Sequence, residues 1–198
     1  MQMQKKINSW LITQVDKGTQ TDYLELDSGE FLSNEIIIEV KNSALNYKDA
    51  LAITGMAPII RKFPLIPGID LSGVVIQSKN KKFGEGDRVF ATGWGLGELQ
   101  HGGLSSHAST DADILIKLPN KYTHSYIMGL GTAGLTAMLA VLALHENSIK
   151  PDAGKVLVTG SSGAVGGIAT KLLLKLGLQI HYFFYIQVCK FQFHLFLL

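Results

Sequence analysis

Three glycines in the last quarter of the sequence have a spacing that suits phosphate binding. Gly160, Gly163 and Gly166 follow the apolar run VLVT at 156–159 and open a segment with helical periodicity, which predicts a strand, a tight turn and a helix. A backbone without Cβ atoms turns sharply, and the N–H groups of the helix N-terminus can then face a pyrophosphate. The pattern predicts a dinucleotide site, with an ordinary tight turn as the alternative.

The determinant that usually selects the dinucleotide is absent from this sequence. A dinucleotide fold commonly places an acid about 20 residues after the first glycine to bind the ribose, or a base to accept a 2′-phosphate. Residues 180–190, IHYFFYIQVCK, contain no acid, and their first lysine is Lys190. The residues alone therefore do not distinguish NADH from NADPH.

Two kinds of secondary-structure pattern divide the chain into domains at 1–125 and 126–198. The first part contains β-rich runs such as EIIIEV at 35–40 and DLSGVVIQS at 70–78, separated by clusters of Gly, Pro, Asn and Asp, which predicts an antiparallel β-domain over 30–120. The second part begins with a long apolar segment from residue 126 that is almost free of charge. We expect that segment to form a helix buried on most sides.

The helix after the glycine turn has an apolar stripe and a stop signal. Gly177 follows its last turn and predicts a left-handed C-terminal cap. The residues predicted to share one buried face, at i, i+3, i+4, i+7 and i+11, are Val165, Ile168, Ala169, Leu172 and Leu176.

Composition excludes several classes of partner and places the chain in a reducing compartment. The net charge is only +2, with 46% hydrophobic and 17% charged residues over 198 positions, so neither nucleic-acid binding nor intrinsic disorder is expected. Cys189 is the single cysteine, and the N-terminal residues lack the pattern of a secretory leader. The predicted location is therefore cytoplasmic.

Long strings in this sequence match one family in the same order. They resemble the zinc-independent medium-chain dehydrogenase/reductase superfamily, and within it the acryloyl-CoA reductase and quinone-oxidoreductase-like branch. The resemblance implies a fold of class α/β with β, in which an N-terminal GroES-like β-barrel domain precedes the start of a Rossmann domain, with NADPH in the cleft between them. It also implies hydride transfer to an activated double bond, such as that of acryloyl-CoA, or to a quinone-like acceptor. The matching strings are ALNYKDALAITG (44–55), IIRKFPLIPGIDLSG (59–73), GDRVFATGWGLGE (86–98), GGLSSHA (102–108), GTAGLTAML (131–139) and VTGSSGAVG (158–166).

The same resemblance assigns roles to individual residues. Tyr47 would be the catalytic residue and would contact the nicotinamide or the acceptor carbonyl, with a half-buried aromatic of a barrel loop as the alternative. The other cofactor-binding positions would be Gly160, Ser162, Gly163, Ala164, Val165, Gly166 and Thr132. Weaker candidates for substrate contact are Asn46, Asp49 and Arg61, each equally compatible with a turn, an ion pair or a helix cap.

No metal site is expected. One cysteine cannot form a four-cysteine zinc site, and the six histidines lack metal-ligand spacing. The strings NYKD and GID also stand where zinc-dependent relatives carry ligands. His101 and His107 flank a glycine-rich loop, and we expect both to be solvated.

The resemblance ends after Leu178, and the last residues allow three interpretations. In the first, LQIHYFFY is a second Rossmann strand and is followed by residues from a shifted reading frame. In the second, the tail forms an exposed β-segment that pairs with another chain. In the third it forms a membrane segment, an interpretation that its glutamines, lysine and histidines disfavour. Two functions follow. One is an NADPH-dependent, metal-free oxidoreductase; the other is a truncated, catalytically inactive fragment that self-associates as a homo-oligomer.

Overall fold

The structure is a computed structural model that describes residues 5–183. The chain divides into two units, Met1–Leu135 and Thr136–Leu198. The division falls inside helix α3 (His124–Glu146), whereas the sequence predicts a boundary at residue 125, close to the start of that helix. The domain limits at 1–125 and 126–198 therefore stay a prediction.

Unit 1 is built from antiparallel strands and short helices. A hairpin of two strands accompanies a five-stranded sheet in the order β6-β3-β4-β5-β7, and every pairing is antiparallel. This confirms the antiparallel β-structure predicted for 30–120. The elements are β1 (Lys6–Val15), β2 (Gly18–Asp27), α1 (Ser28–Phe31), β3 (Ile36–Asn42), α2 (Tyr47–Thr54), β4 (Asp70–Ser78), β5 (Arg88–Thr92), β6 (His107–Thr110) and β7 (Ile116–Lys117), with a 3₁₀ turn at Ala112–Ile114.

Strand β3 is buried on both faces, which explains its unbroken apolar run. Ile36 and Ile38 pack into one hydrophobic cluster with Leu71, whereas Ile37 packs into a second cluster with Phe31. Successive side chains of a strand point to opposite faces, so three consecutive isoleucines serve two cores. Strand β4 pairs with β3 over residues 72–78, and its first residue, Asp70, is paired with Thr92 of β5.

Unit 2 contains a parallel β-α-β arrangement. Strand β8 (Lys155–Thr159), helix α4 (Ala164–Lys175) and strand β9 (Gln179–Phe183) follow each other, and β8 pairs with β9 in parallel. A crossover helix is what joins neighbouring parallel strands. The predicted strand, turn and helix are thus confirmed, and the segment after Leu178 begins as a second strand. The interpretations offered for residues 184–198 lie outside the described residues.

The C-terminal end of α4 also agrees with the sequence. Gly177 has a φ of +83°, and the backbone N–H of Leu178 donates to the carbonyl of Leu173 over 3.1 Å. A left-handed residue after the last turn makes this bond possible. The cap predicted at Gly177 is confirmed.

The buried face of α4 differs from the predicted stripe. Ala169 is buried as predicted and Leu172 packs beside the cluster, but Val165 and Leu176 are 40% and 52% exposed, and Leu173, outside the predicted stripe, is buried. Leu173 packs with Val141 and Leu178, and β8 and β9 supply Val158 and Ile180 around this cluster. The periodicity identified an apolar helix, but the row that packs is the one nearest the two strands.

Helix α3 was expected to be buried on most sides, and that expectation is wrong for the structure described over residues 5–183. Leu135, Met138, Leu139 and Leu142 are 48%, 44%, 57% and 47% exposed, because the described residues pack against α3 on one side only. The helix is long and apolar enough to cross a membrane by length and composition. The core helix of a soluble protein passes the same test, so this finding alone is weak evidence.

Candidate functional site

The glycine turn of unit 2 joins β8 to α4. Gly160 has a φ of +61°, a left-handed conformation that glycine adopts without strain. The backbone N–H of Gly163 donates to the carbonyl of Gly160 over 2.9 Å, and Gly163 is the N-cap residue of α4. The chain thus turns within the four residues 160–163, and α4 begins immediately after this turn.

Gly163 and Gly166 are needed for different reasons. A Cβ on Gly166 would overlap the carbonyl oxygen of Gly160 and approach the backbone of Ser161 to 2.9 Å, so this glycine is required for close packing of the helix on the turn. A Cβ on Gly163 would meet only the Gly160 oxygen, at 3.3 Å, and its φ of −78° suits any residue. The fold therefore requires a glycine at 163 less strictly than at 166, since a Cβ at 163 would be too close by only a few tenths of an ångström. Close approach of a ligand is a further reason for a glycine there.

The start of α4 offers hydrogen-bond donors to an anion and has no negative charge to repel it. The first N–H groups of a helix have no partner within the helix, and the first turn of α4 contains no acidic side chain and no side-chain cap. The Oγ of Ser161 is buried and has no hydrogen-bond partner among the described residues. Ser162 and Ala164 are exposed beside it. These groups are donors that a phosphate could accept from.

A second group of polar residues surrounds Asp70 in unit 1. Asp70 is completely buried, and its carboxylate accepts from Asn46 Nδ2 at 2.8 Å and from Thr132 Oγ1 at 2.7 Å. The backbone N–H of Thr132 also donates to both carboxylate oxygens, at 3.0 and 3.2 Å. Asp70 therefore fixes two segments that lie far apart in the sequence, one before α2 and one inside α3.

The contact between Asp70 and α3 depends on a break in that helix. Gly131 has a φ of 47° and a ψ of −150°, which interrupts the helical conformation directly before Thr132. A Cβ on Gly131 would lie 2.5 Å from Asp70 Oδ2. Asp70 thus acts as an anionic cap for the helical turn that begins after the break. The hydroxyl proton of Thr132 is directed to Asp70, and its role as a cofactor contact stays a prediction.

Asp49 is a structural residue, which corrects its assignment as a candidate substrate contact. It is 1% exposed, and its two oxygens accept from the backbone N–H groups of Ile69 and Asn46, at 3.0 and 2.8 Å. Burial raises the pKa of Asp49, while these hydrogen bonds lower it and the nearby Asp70 raises it further. A carboxylate enclosed in this way holds α2 against the start of β4 and does not reach a ligand.

Tyr47 is presented to solvent by these anchored neighbours. It is the first residue of α2, directly after Asn46 and two residues before Asp49, and it is 76% exposed. The alternative of a half-buried aromatic in a loop is therefore wrong. A phenol held on a fixed helix turn and open to solvent is suited to contact a bound molecule.

Arg61 lies at the edge of the same unit. Its side chain is exposed, and its backbone N–H donates to the carbonyl of Glu98 over 3.1 Å. The carboxylate of Glu98 forms an ion pair with Lys48, so the loop that holds Arg61 is connected to α2. No hydrogen bond or ion pair of the Arg61 guanidinium is found among the described residues, which leaves this cation available to an anionic ligand.

His101 and His107 are not the solvated loop residues that the sequence predicts. His101 is half-buried beside Phe31, and its Nδ1 accepts from the backbone N–H of Ile66 over 3.2 Å. Burial lowers the pKa of both histidines. His101 is therefore a neutral structural acceptor.

The sequence indicated Ser161, next to Ser162, as a hydroxyl donor beside the glycine turn, but it gave no role to Asp70 or Gly131. An acid placed at the start of an otherwise apolar strand, in the string GIDLSGVV, was the available signal for Asp70, because a buried acid requires partners. No group of three or more His, Cys, Asp or Glu side chains that could hold a metal ion occurs within the part of the chain that the structure describes.

Comparison with known families and proteins gives a consistent result. Residues 33–120 match the alcohol dehydrogenase GroES-like domain. The chain is 45% identical over 170 residues to the probable acrylyl-CoA reductase AcuI of Escherichia coli, which covers 86% of this chain and 52% of that protein. It is 46% identical over 145 residues to the putative quinone oxidoreductase YhfP of Bacillus subtilis, covering 73% of this chain and 44% of that protein.

Solved structures agree with these similarities. The yhdH oxidoreductase of Salmonella enterica in complex with NADP has a TM-score of 0.85 and 44% identity, covering 88% of this chain and 54% of that one. The yhfP protein of Bacillus subtilis with NAD bound also has a TM-score of 0.85, with 37% identity over 90% of this chain and 54% of that one. The chain spans about half the length of the curated relatives that it matches.

Proposed function

The chain belongs to the medium-chain dehydrogenase/reductase superfamily, and we propose that it serves NADPH-dependent transfer of a hydride to an activated carbon–carbon double bond. The acceptor would be an acrylyl-CoA-like thioester, with a quinone-like molecule as the second class. The observation that carries this proposal is the turn at 160–166. Its middle glycine, Gly163, is the N-cap of α4, and apart from one contact with the Gly160 oxygen at 3.3 Å the position of its missing Cβ is open.

The residues of the turn would hold the phosphates of the dinucleotide. The N–H groups at the start of α4 and the unpartnered Ser161 hydroxyl would donate to the pyrophosphate, and Ser162 would add a further donor. The cofactor, when bound, supplies the hydride. NADPH is proposed because the Salmonella and Escherichia coli relatives were solved with NADP and NADPH.

In unit 1 the proposed catalytic group is Tyr47. Its hydroxyl would donate a hydrogen bond to the acceptor carbonyl, where negative charge develops as hydride reaches the β-carbon. Asn46 and Asp70 hold the backbone from which Tyr47 projects, and they are positioning residues. No metal ion has a part in this proposal, because the developing charge is met by a hydrogen-bond donor.

Arg61 would distinguish the two classes of acceptor. An acyl-CoA carries phosphates, whereas a quinone does not, and a guanidinium without a partner on this chain is suited to bind them. Replacing Arg61 with Ala should therefore weaken binding of an acyl-CoA and leave binding of a quinone unchanged. Equal effects on both ligands would contradict this role.

Binding of NADPH to variants of the turn tests the main proposal. In a fluorescence titration of the 198-residue chain, Gly163→Ala should weaken NADPH binding by about tenfold or more, since a methyl group would stand where the backbone meets the pyrophosphate. Gly167→Ala is the matched control, because a Cβ there makes only an ordinary 3.5 Å contact with the Ser161 carbonyl. Normal NADPH affinity in Gly163→Ala would show that the turn is structural.

A second candidate is that the 198-residue chain self-associates and is catalytically inactive. The exposed apolar residues of α3 favour association, because contiguous apolar surface is unusual on a monomer. Association together with no consumption of NADPH in the presence of crotonyl-CoA would support this candidate over the oxidoreductase.

A further inference from the structure

Trp94 combines a disfavoured backbone conformation with an exposed side chain. Its φ is +53°, in the left-handed region that residues with a large side chain rarely adopt. Its indole is 73% exposed. Within residues 5–183 the only other non-glycine residue with positive φ is Ser148, at 60°. The fold therefore maintains an unfavourable conformation at Trp94 and gains little burial from it.

The loop that carries Trp94 is tied down on both sides. The backbone N–H of Gly93 donates to the carbonyl of Ile69 over 2.7 Å, and Gln100 Nε2 donates to the Trp94 carbonyl over 3.0 Å. Leu96 is 1% exposed and belongs to the larger core cluster. These anchors prevent the backbone of Trp94 from relaxing, so the point from which the indole projects is fixed.

The anchored loop of Trp94 belongs to the same part of unit 1 as Tyr47. Gly93 is bonded to Ile69, the residue before Asp70, and Asp70 holds Asn46, the residue before Tyr47. The ion pair between Lys48 and Glu98 joins the two segments a second time. Two exposed aromatic residues thus project from segments that are tied to each other and to the start of β4.

We propose that Trp94 is a residue that positions the acceptor and determines its specificity, an inference that rests on the proposed function. Its indole face packs against the flat conjugated part of an α,β-unsaturated thioester, while Tyr47 meets the carbonyl. Aromatic faces favour flat conjugated partners. A glycine would satisfy the backbone without strain, as Gly93 and Gly95 do with φ values of 72° and 81°, so the fold itself does not need the indole.

The test compares stability with ligand binding in the 198-residue chain. In Trp94→Gly, relief of strain should leave the melting temperature unchanged or raise it, whereas the dissociation constant for crotonyl-CoA should rise about three- to tenfold. Trp94→Phe should restore most of the affinity, because it keeps an aromatic face. The matched control is Ser148→Gly, which removes strain at the other left-handed position and should not change crotonyl-CoA binding.

Ligand comparisons define the chemistry that Trp94 recognises. Calorimetric titration with butyryl-CoA, which has the same chain length without the double bond, should show a smaller loss in Trp94→Gly than crotonyl-CoA does. Titration with 1,4-naphthoquinone tests the other class of acceptor. A loss confined to the naphthoquinone would overturn the assignment to a thioester.

The results that overturn the inference differ from those that overturn the proposed function. The role of Trp94 would be refuted if Trp94→Gly bound crotonyl-CoA with wild-type affinity, or if the unmodified chain did not bind crotonyl-CoA. It would also be refuted if Trp94→Gly had a lowered melting temperature that Trp94→Phe did not restore. If the unmodified chain did not bind NADPH, but bound crotonyl-CoA in a way that depended on Trp94, only the reductase proposal would be refuted.

Discussion

At the scale of single residues, the candidate site of unit 1 depends on a buried carboxylate. Asp70 is fully buried and accepts hydrogen bonds from Asn46 and from both the backbone and the hydroxyl of Thr132. A buried charge is tolerated only when several donors compensate for its lost hydration. Asp70 therefore stabilises the fold and, at the same time, holds the residues next to Tyr47.

Replacing Asp70 with Asn should destabilise unit 1 strongly. The amide nitrogen cannot accept, so one donor of Thr132 or Asn46 would be left buried without a partner, at a cost of about 2–4 kcal/mol in the free energy of unfolding. Asp16→Asn, at an exposed turn, should change the free energy of unfolding by less than about 0.5 kcal/mol. Urea unfolding of the two variants decides the point, and equal midpoints would contradict it.

Stability should also fall as the pH decreases from about 7.5 to 5.5. Burial lowers the pKa of His101, His107 and His124, and Arg88 adds a repulsive charge at His124. The histidines of the unfolded chain then bind protons more readily than those of the folded chain. The stability that the neutral histidines contribute is therefore complete above 6.5, the ordinary histidine pKa, and is lost as the pH falls below it. Asp49 has a raised pKa and acts in the opposite direction at more acidic pH.

Melting temperatures measured across this range test the sign. They should decrease with falling pH, and His101→Asn should weaken the dependence, since Asn can still accept from the Ile66 backbone without titrating. A melting temperature that rises toward pH 5.5 would show that these histidines gain protons on folding.

Residue types were predictable where local geometry alone requires them. The glycine turn was identified from spacing, because a tight turn followed by a helix demands small residues at fixed positions. Asp70 could not be assigned a role in this way. Its partners lie 24 and 62 positions away in the sequence, and only the fold brings them together.

At the scale of secondary-structure elements, the β8–turn–α4 segment shows how one glycine sets a packing distance. Gly166 lies on α4 where a Cβ would overlap the carbonyl oxygen of Gly160. The helix therefore approaches the turn as closely as backbone contact allows. Sequence periodicity predicted α4 and, with Ala169 and Leu172, only part of its buried row, because periodicity defines spacing around a helix and not which row faces the strands.

Gly166→Ala should destabilise unit 2 although alanine is the better helix former. Displacement of the helix should lower the free energy of unfolding by about 1–3 kcal/mol. This loss exceeds the gain of up to about 1 kcal/mol from the higher helix propensity of alanine. Gly129→Ala in α3, where a Cβ meets nothing within 4 Å, should instead be neutral or stabilising. If both substitutions raised the thermal midpoint, the close approach at Gly166 would be refuted.

At the scale of the whole molecule, the sequence and the structure differ most in α3. Its composition predicts burial, but Leu135, Met138, Leu139 and Leu142 are exposed and fall on one side of the helix, at i, i+3, i+4 and i+7. A local pattern indicates that a surface is suited to burial without showing what covers it. The fold class could be predicted because long strings match one family; the state of this helix face could not.

We expect the 198-residue chain to associate in solution through this face of α3. A row of four large exposed apolar side chains stabilises a complex when it is removed from water, by about 25 cal/mol for each Å² of apolar area. Light scattering coupled to size-exclusion chromatography should therefore give a mass above the 21.5 kDa of one chain, increasing with concentration. Leu139→Lys should shift the mass toward that of one chain, because burying the new ammonium group opposes contact. Tyr23→Lys, at a position of similar exposure on β2, adds the same charge away from α3 and should leave association intact. A mass of 21.5 kDa at all concentrations, or equal effects of the two lysines, would refute association through α3.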